Sequence, residues 1–275
     1  MTIVVYYCLV FFFILCSMRL NVTGIVRREC TAQCSFQFDF GNSIERPKHC
    51  SQRILSYTCV TRIIILYSTH QIFVHFRTTG LEENENEIAL YTVQQVSHIF
   101  QRNHSSYVIL FGCFFADNCD WTYTSNIIDR FTRIDYTSMF NELKSLLYEN
   151  SNTSVSQCFS DNDIVDCNHG QCLSILFEGS LHINRSCHTS SDVNLGIDIR
   201  HYRGFPQTSD DDRNYHFYVC NRQLCNDPTT EHSVQAVIQS YSSIFDIPQP
   251  SKTMILQTST VHYFIVVILS LLFTK

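Results

Sequence analysis

The sequence has few of the features that mark an enzyme or a nucleic-acid-binding protein. It contains no Gly-x-Ser-x-Gly, no His-Glu-x-x-His and no glycine-rich phosphate loop. Lys and Arg number 19 against 25 Asp and Glu, so the net charge of -6 leaves no basic stripe to displace counterions from nucleic acid. No two cysteines have the Cys-x-x-Cys spacing of a redox site. We therefore predict no catalytic residue, no cofactor and no nucleic-acid partner.

Cysteine, by contrast, is abundant, with 14 residues in a chain of 275. This density is high for a reducing compartment, where thiols stay free. Cys8 and Cys16 lie in the apolar run at the N-terminus, which leaves 12, an even number, for pairing into disulfides. These fall into two sets of six, and residues 120–157 between the sets contain none. The first set is Cys30, Cys34, Cys50, Cys59, Cys113 and Cys119, and the second is Cys158, Cys167, Cys172, Cys187, Cys220 and Cys225.

The N-terminus has the apolar core of a secretory signal peptide, although the positive residues that normally precede it are missing. Residues 3–16 carry no charge, and Ser17 or Gly24 offers a small residue for cleavage. We predict a signal peptide over residues 1–24. The alternative is an uncleaved membrane anchor, but a helix of this length reaches only about 21 Å, short of the hydrocarbon core.

Sequons for N-glycosylation agree with export of the chain. Asn103-His-Ser, Asn152-Thr-Ser and Asn184-Arg-Ser lie in polar stretches, and a further sequon at Asn21 falls in the predicted signal peptide. Each triplet alone is a weak signal. Together with the cysteine parity they predict glycans on Asn103, Asn152 and Asn184.

The C-terminus ends in a second apolar run. Residues 263–273 contain a single polar side chain, and a helix of this length reaches about half of the way across the hydrocarbon core. A short apolar end after a polar spacer is typical of a lipid-anchor signal, so we predict that residues 253–275 are exchanged for an anchor at Ser251. Residues 228–252 would then form a stalk. The alternative is a short membrane helix whose Lys275 reaches the headgroups.

Two pairs of segments indicate an internal repeat. Residues 106–120, SYVILFGCFFADNCD, parallel residues 214–227, NYHFYVCNRQLCND, because each holds an apolar run, a cysteine, a loop and a cysteine followed by Asp or Asn. Residues 56–67 and 169–179 each have a cysteine that opens an apolar strand. No strict period relates them, so coincidence is the alternative. The predicted boundaries are residues 25–120 for module 1, 121–157 for a linker with a short helix, and 158–227 for module 2.

The residue pattern predicts a mainly β fold. Residues 60–78, VTRIIILYSTHQIFVHFRT, hold two β-branched and aromatic runs around a polar turn, which indicates paired strands. Residues 87–100 fit either a helix or a strand. Residues 139–150 place apolar side chains on one helical face after possible caps at Thr137 and Ser138, which predicts the helix of the linker.

The paired cysteines have a metal interpretation as well as a disulfide one. Cys167 and Cys172, with Cys220 and Cys225, offer four thiolates at spacings that zinc sites use, and His169 is a fifth candidate ligand. An oxidising export route favours disulfides over free thiolates. We therefore predict that these cysteines are oxidised and that no metal is bound.

The order of the cysteines resembles that of a known family. Cys220-x4-Cys225 followed by Asn226, directly after a strand, resembles the last loop of the three-finger superfamily of snake toxins and lymphocyte-antigen-like surface proteins. Cys30-x3-Cys34 resembles the cysteines that open lymphocyte-antigen-like domains. The doubled cysteine common near the end of that family is absent, and the secreted nematode-type ET module is an alternative likeness.

The resemblance implies small disulfide-rich domains, two tandem three-finger-like modules, and a set of disulfide pairs. Carried over by order, the implied pairs are Cys30–Cys59, Cys34–Cys50 and Cys113–Cys119 in module 1, and Cys158–Cys172, Cys167–Cys187 and Cys220–Cys225 in module 2.

These features favour an extracellular binding protein on the outer face of the plasma membrane, which acts as a receptor, co-receptor or adhesion protein and has no enzymatic activity. The predicted partners are an unknown extracellular protein and, through the C-terminal anchor, the membrane. The alternative is a secreted structural or toxin-like protein. Aromatic residues in the long stretch between Cys187 and Cys220 are the predicted ligand contacts, namely Tyr202, Phe205 and Tyr215.

Overall fold

The computed structural model of the chain describes residues 27–42, 44–79, 91–114, 116–151, 154–177, 183–189, 194–204 and 213–246. The predicted signal peptide, the anchor segment with Ser251, and the predicted site residues Asn152 and Phe205 lie outside the described residues. Within the described ranges, no helix combines the length and the apolar character needed to cross a membrane.

The prediction of a mainly β, disulfide-rich fold is confirmed. Twelve strands lie in the described part of the chain, and all their pairings are antiparallel. They are β1 (Arg28–Thr31), β2 (Cys34–Asp39), β3 (Arg53–Ser56), β4 (Thr58–Leu66), β5 (Gln71–Thr79), β6 (Tyr91–Ile99), β7 (His104–Cys113), β8 (Val155–Ser160), β9 (Asp163–Phe177), β10 (Ile183–His188), β11 (Gly196–Gly204) and β12 (Arg213–Cys220).

Ten of these strands form one sheet that crosses both cysteine sets. Its order is β10-β9-β12-β11-β6-β7-β4-β5-β2, with β8 paired to β9, while β1 and β3 form a separate two-stranded sheet. The two halves of the chain meet where β6 pairs with β11 from Ile99 opposite Gly196 to Tyr91 opposite Gly204. The halves therefore share a continuous hydrogen-bonded sheet.

The strand order is the same when each half is read from its outer side toward that junction. Inside the outermost strand β2 the first half has the order β5-β4-β7-β6, and the second half has the order β10-β9-β12-β11. The segments that looked alike in the sequence occupy matching places, since β7 corresponds to β12 and β4 to β9. Cys59 lies opposite Cys113 in the first half, and Cys172 lies opposite Cys220 in the second.

The predicted strand pair is confirmed, and the ambiguous segment is a strand. β4 and β5 pair along their whole length, from Thr58 opposite Thr79 to Leu66 opposite Gln71. β6 alternates between buried and half-buried residues because it lies in the middle of the sheet with one face covered.

Three helices are described: α1 (Cys119–Phe131), α2 (Thr137–Leu147) and α3 (Pro228–Ser240). The helix predicted in the linker is α2, whose apolar face is buried as expected, but the predicted caps Thr137 and Ser138 are wrong. They are already helical, and the Asp135 carboxylate accepts the Thr137 N–H at 2.8 Å. Helix α1 was not predicted, since its Thr, Tyr and Ile residues favour strands as well as helices.

The predicted stalk is wrong for its described part, residues 228–246. Asp227 caps α3 by accepting the Thr230 N–H at 2.7 Å, and Pro228 occupies the first helical turn, where no intrahelical N–H is needed. Val234 and Ile238 of α3 are buried in the core. A 3-10 turn, Ser242–Phe245, continues the packed structure beyond the helix.

The helices cover one face of the large sheet and form the core with it. The ring of Phe111 on β7 lies 4.0 Å from that of Tyr123 on α1, and Tyr107 lies 4.5 Å from Phe131. Phe245 reaches the same layer and stacks on His201 of β11 at 3.9 Å. The predicted linker therefore supplies much of the hydrophobic core, because neither half of the sheet could otherwise cover its apolar face.

All 12 cysteines outside the N-terminal run are in disulfides. The pairs are Cys30–Cys59, Cys34–Cys50, Cys113–Cys119, Cys158–Cys172, Cys167–Cys187 and Cys220–Cys225. They coincide with the pairs that the family resemblance implied. Gly170 lies against one of them, since a Cβ at this position would sit 2.4 Å from the Cys167 sulfur. Only glycine allows β9 to approach that disulfide so closely.

The residue after the last cysteine of each set has a matching structural role. The Asp120 carboxylate accepts the N–H of Thr31, which follows Cys30, at 2.6 Å. The Asn226 amide bonds both the N–H and the C=O of Phe159, which follows Cys158, at 2.9 and 2.8 Å. Both side chains are buried, so each satisfies backbone groups that water cannot reach. Equivalent contacts at equivalent positions support the internal repeat.

Candidate binding face

The second face of the large sheet carries the side chains most suited to binding. Residues directly opposite each other in an antiparallel sheet share a face, so the pairing places Arg62, Leu110, Val93 and Tyr202 in one row across four strands. The helices lie on the other side, and these side chains are half-buried or exposed. We call this surface the open face.

Two of the three predicted contact residues come together on the open face. The rings of Tyr202 and Tyr215 stack with centroids 5.8 Å apart, and their hydroxyl oxygens are 3.4 Å apart. Phe177 extends the row, with its ring 5.9 Å from that of Tyr215 and half of its surface exposed (50%). The Arg200 guanidinium lies 5.4 Å from the Tyr215 centroid, in the range of a cation–π contact. We call these four residues the aromatic ladder.

The ladder is neutral except at Arg200. Burial, together with the hydrogen bond to Tyr202, raises the pKa of Tyr215 to about 12, so its phenol keeps its proton at physiological pH. Arg200 faces the Asp198 carboxylate at 3.8 Å, and the Ser97 hydroxyl donates to that carboxylate. The ladder thus offers flat apolar surface with hydroxyl groups at its edge, a combination enriched in protein interfaces.

A basic hollow adjoins the ladder on the open face. It has a volume of about 390 Å³, and three basic side chains, Arg62, His75 and Arg77, line one side of it. Val108 and Leu110 are among the residues that form its apolar part. No acidic residue of the described chain lines it. We call this depression the basic hollow.

The hollow and the ladder are continuous. Val93 and Gln95, which line the hollow, lie directly opposite Tyr202 and Arg200 of the ladder on the neighbouring strand. From Arg62 on β4 to Phe177 on β9 there are five strand spacings, or about 24 Å at about 4.8 Å each. The two features therefore form one surface.

A larger depression, of about 520 Å³, lies at the end of the sheet beside the α1–α2 connection. Its polar side chains are largely paired within the protein. Ser68 bonds His104 at 2.9 Å, Lys144 bonds Asn103 at 2.7 Å, and the Tyr67 hydroxyl donates to a backbone carbonyl at 3.2 Å. Because these groups are already satisfied, this depression is a weaker candidate than the open face.

Two predicted glycosylation sites are on the surface. Asn103 is exposed in the turn between β6 and β7 with φ of 46°, a left-handed conformation that Asn tolerates. Asn184 is exposed on the edge strand β10 and lies opposite Ile175, at the far end of the open face from the hollow. Glycans at these positions remain a prediction.

The four cysteines that suggested a metal site form disulfides. Among the described residues, the groups close enough to share an ion are two cysteine triplets, all of whose sulfurs lie in disulfides. His169 lies in β9 between Cys167 and Cys172, where its backbone has a left-handed conformation with φ of 65°.

Sequence reasoning found Tyr202 and Tyr215 from their aromatic character, and it missed the remaining members of this surface. Strand alternation would have placed Arg200 with Tyr202 and Arg62 with Ile64. Which strands are neighbours, and hence that Phe177, Arg200 and the hollow adjoin, depends on pairings between distant segments.

The sequence matches none of the protein-family models and no curated protein. The three-finger likeness therefore remains a resemblance in the order of the cysteines.

Proposed function

We propose that this chain is an extracellular, membrane-anchored binding protein whose open face engages a protein ligand. The observation that carries the proposal is the aromatic ladder, which sets Tyr202, Tyr215 and Phe177 side by side on a rigid sheet. Aromatic side chains held in this way lose little conformational freedom on binding, and they often dominate interface energetics. The six disulfides suit a chain that folds and acts outside the cell.

The ligand-binding part of the proposal is tested with the soluble chain, residues 25–252, added to living cells and quantified by flow cytometry. Tyr215→Ser is expected to weaken cell binding by about tenfold or more, because truncation of one interface hot spot costs about 2 kcal/mol. Tyr202→Ser should act in the same direction.

The matched control is Leu55→Ser on the two-stranded sheet. Leu55 is 60% exposed and lies away from the open face, so this change also removes exposed apolar surface. Binding by this variant should equal that of the unaltered chain. Equal loss in the Leu55 and Tyr215 variants, or no loss in either tyrosine variant, contradicts the assignment of the open face.

Membrane anchoring is tested on cells that express the full chain with an epitope after Phe273. Phosphatidylinositol-specific phospholipase should release the protein, and the released form should lack the epitope, because the anchor signal is removed on attachment. Retention on the cells with the epitope present favours the short membrane helix. Release into the medium without phospholipase favours the alternative function, a secreted structural or toxin-like protein.

A further inference from the structure

We propose that the larger depression, beside the α1–α2 connection, holds the first sugar of a glycan on Asn103. This inference goes beyond the proposed function and does not depend on the open face. The sequon at Asn103 predicts an N-acetylglucosamine on the amide nitrogen of its side chain. Asn103 is exposed, and it is itself one of the residues that line the depression. The proposed occupant is therefore a covalent part of this chain, attached at the rim of the space that it fills.

The Asn103 side chain is held in place through its oxygen, which leaves its amide nitrogen available for the sugar. The backbone N–H of Asn103 donates to the Phe100 carbonyl at 3.3 Å, and Lys144 Nζ donates to Asn103 Oδ1 at 2.7 Å. A lysine ammonium only donates hydrogen bonds, so its partner is the carbonyl oxygen of the amide. Lys144 is itself held over two rings, 5.6 Å from the centroid of Phe140 and 5.3 Å from that of Tyr148. These contacts limit the directions in which the sugar can extend.

The lining of the depression matches a sugar, which has faces of C–H groups and polar edges. Phe40 and Tyr67 pack edge to face with ring centroids 5.8 Å apart, and both are only half-buried, so they offer aromatic surface to C–H groups. Asn141 lies on α2 one turn before Lys144, is exposed, and has no side-chain hydrogen bond within the described chain. Its amide can both donate to the sugar and accept from it. The volume of about 520 Å³ is within the range of about 300–1,000 Å³ that is usual for sites of small molecules.

A tethered sugar needs few contacts to occupy this depression. Attachment to Asn103 gives it an effective concentration of about a millimolar or more. The pairing of groups such as Ser68 with His104 therefore weighs less against this occupant than against a free ligand. Because the unfolded chain has no such depression, contacts of the sugar stabilise only the folded state. The sugar would join the β4–β5 turn, the β6–β7 turn and α2, which are far apart in the chain.

The test compares melting temperatures of the full chain, purified in detergent micelles from cells that make only high-mannose glycans. Endoglycosidase H trims each glycan to its first N-acetylglucosamine. Asn103→Asp is the same chain that peptide-N-glycosidase F would leave on removing the whole glycan, and its carboxylate can still accept the hydrogen bond from Lys144. The matched control is Asn184→Asp, the same change at the exposed sequon on β10.

Trimming should leave the melting temperature of the unaltered chain the same within about 1 °C, because the first sugar is kept. Asn103→Asp should melt about 2–4 °C below the trimmed unaltered chain, whereas Asn184→Asp should shift by less than about 1 °C. Asn141→Ala should be more destabilising in the trimmed unaltered chain than in the Asn103→Asp chain. The helix preference of alanine is the same in both backgrounds, so the difference between the two shifts reports the contact with the sugar. In the folded chain, peptide-N-glycosidase F should release the glycan on Asn184 before the covered one on Asn103.

The inference is wrong if peptide mapping finds Asn103 without a glycan, or if Asn103→Asp and Asn184→Asp shift the melting temperature equally. It is also wrong if trimming lowers the melting temperature as much as Asn103→Asp does, because the outer sugars would then be responsible. An equal effect of Asn141→Ala in both backgrounds, or equally fast release of the two glycans, contradicts the proposed place of the sugar. None of these results changes the assignment of the open face, which depends on cell binding by the tyrosine variants.

Discussion

The ion pair between Arg185 and Glu231 tests whether helix α3 is packed against strand β10. Arg185 Nε donates to Glu231 Oε1 at 2.7 Å, and a second guanidinium nitrogen donates to Oε2. The Ser174 hydroxyl adds a bond to the same carboxylate at 2.6 Å. Both charged side chains are buried, with 7% and 3% of their surface exposed, so strand β10 and helix α3 are joined through a pair that water does not reach.

Glu231→Gln keeps the shape of the side chain and removes its charge, which leaves the buried Arg185 guanidinium without a counterion. The expected loss in the free energy of unfolding is about 3–5 kcal/mol, the range found when one partner of a buried pair is removed. A domain is stable by only about 5–15 kcal/mol, so this is a large fraction of the total. The control is Asp129→Asn, which breaks the exposed pair with Arg133 and should cost less than about 1 kcal/mol.

The measurement is urea unfolding at neutral pH with the disulfides intact, followed by circular dichroism. With a slope of about 2 kcal/mol per molar urea, the midpoint for Glu231→Gln should fall by about 2 M. The double variant Arg185→Met with Glu231→Leu should be more stable than Glu231→Gln, because no buried charge is left unpaired. If Glu231→Gln and Asp129→Asn shift the midpoint equally, then α3 is not docked on β10 in the way described and the reasoning is refuted.

Three further predictions concern the extent of the fold, pH and glycosylation. A chain that ends at Asp227 should be unstable or fail to be exported. A chain that ends at Asp246 should have the same thermal melting as the full chain. If both truncated chains are exported and melt equally, then α3 is dispensable. Burial, with smaller effects of the charges around it, lowers the pKa of His201 from 6.5 to about 4, so the unfolded chain binds a proton that the folded chain refuses. The free energy of unfolding should therefore fall by up to about 3 kcal/mol as the pH falls from 6.5 to 4. His201→Gln should make this dependence on pH weaker in unfolding curves measured across that range. An unchanged dependence contradicts the assignment. Asn103→Gln and Asn184→Gln should each remove one glycosidase-sensitive step in gel mobility, and an unchanged band would show that the site is unmodified.

Local patterns in the sequence were sufficient to predict whether several segments form strands or helices. Two β-branched and aromatic runs around a polar turn predicted the hairpin of β4 and β5, which pair along their whole length. Apolar residues at helical spacing predicted α2, whose buried face includes Met139, Leu143 and Leu147. These features depend on neighbours close in the chain, so the sequence alone carries them.

The disulfide pairs coincide with those expected from a resemblance in cysteine order, although no family model matches the chain. The opposed positions of Cys59 and Cys113, and of Cys172 and Cys220, show that each disulfide cluster is built on adjacent strands.

The stalk prediction failed although its correction was visible in the sequence. Asp227 followed by Pro228 is a helix-start signal, and Val234 and Ile238 are spaced for one helical face. The polar composition of the segment favoured a stalk, so the helix was not predicted. Glu231 also reads as a surface residue until Arg185, 46 positions away, is seen beside it.

By itself, the sequence determined that this chain is rich in β-forming residues and in cysteines that can pair, and it indicated an internal repeat and aromatic side chains between Cys187 and Cys220. Only the tertiary structure decided that the halves share one sheet through β6 and β11, and hence that Tyr202 adjoins Val93 and the basic hollow. The physical reason is that strand pairing brings together residues about a hundred positions apart, and no local pattern records which strand becomes the neighbour. The open face is therefore a property of the folded chain, although each of its side chains can be read in the sequence.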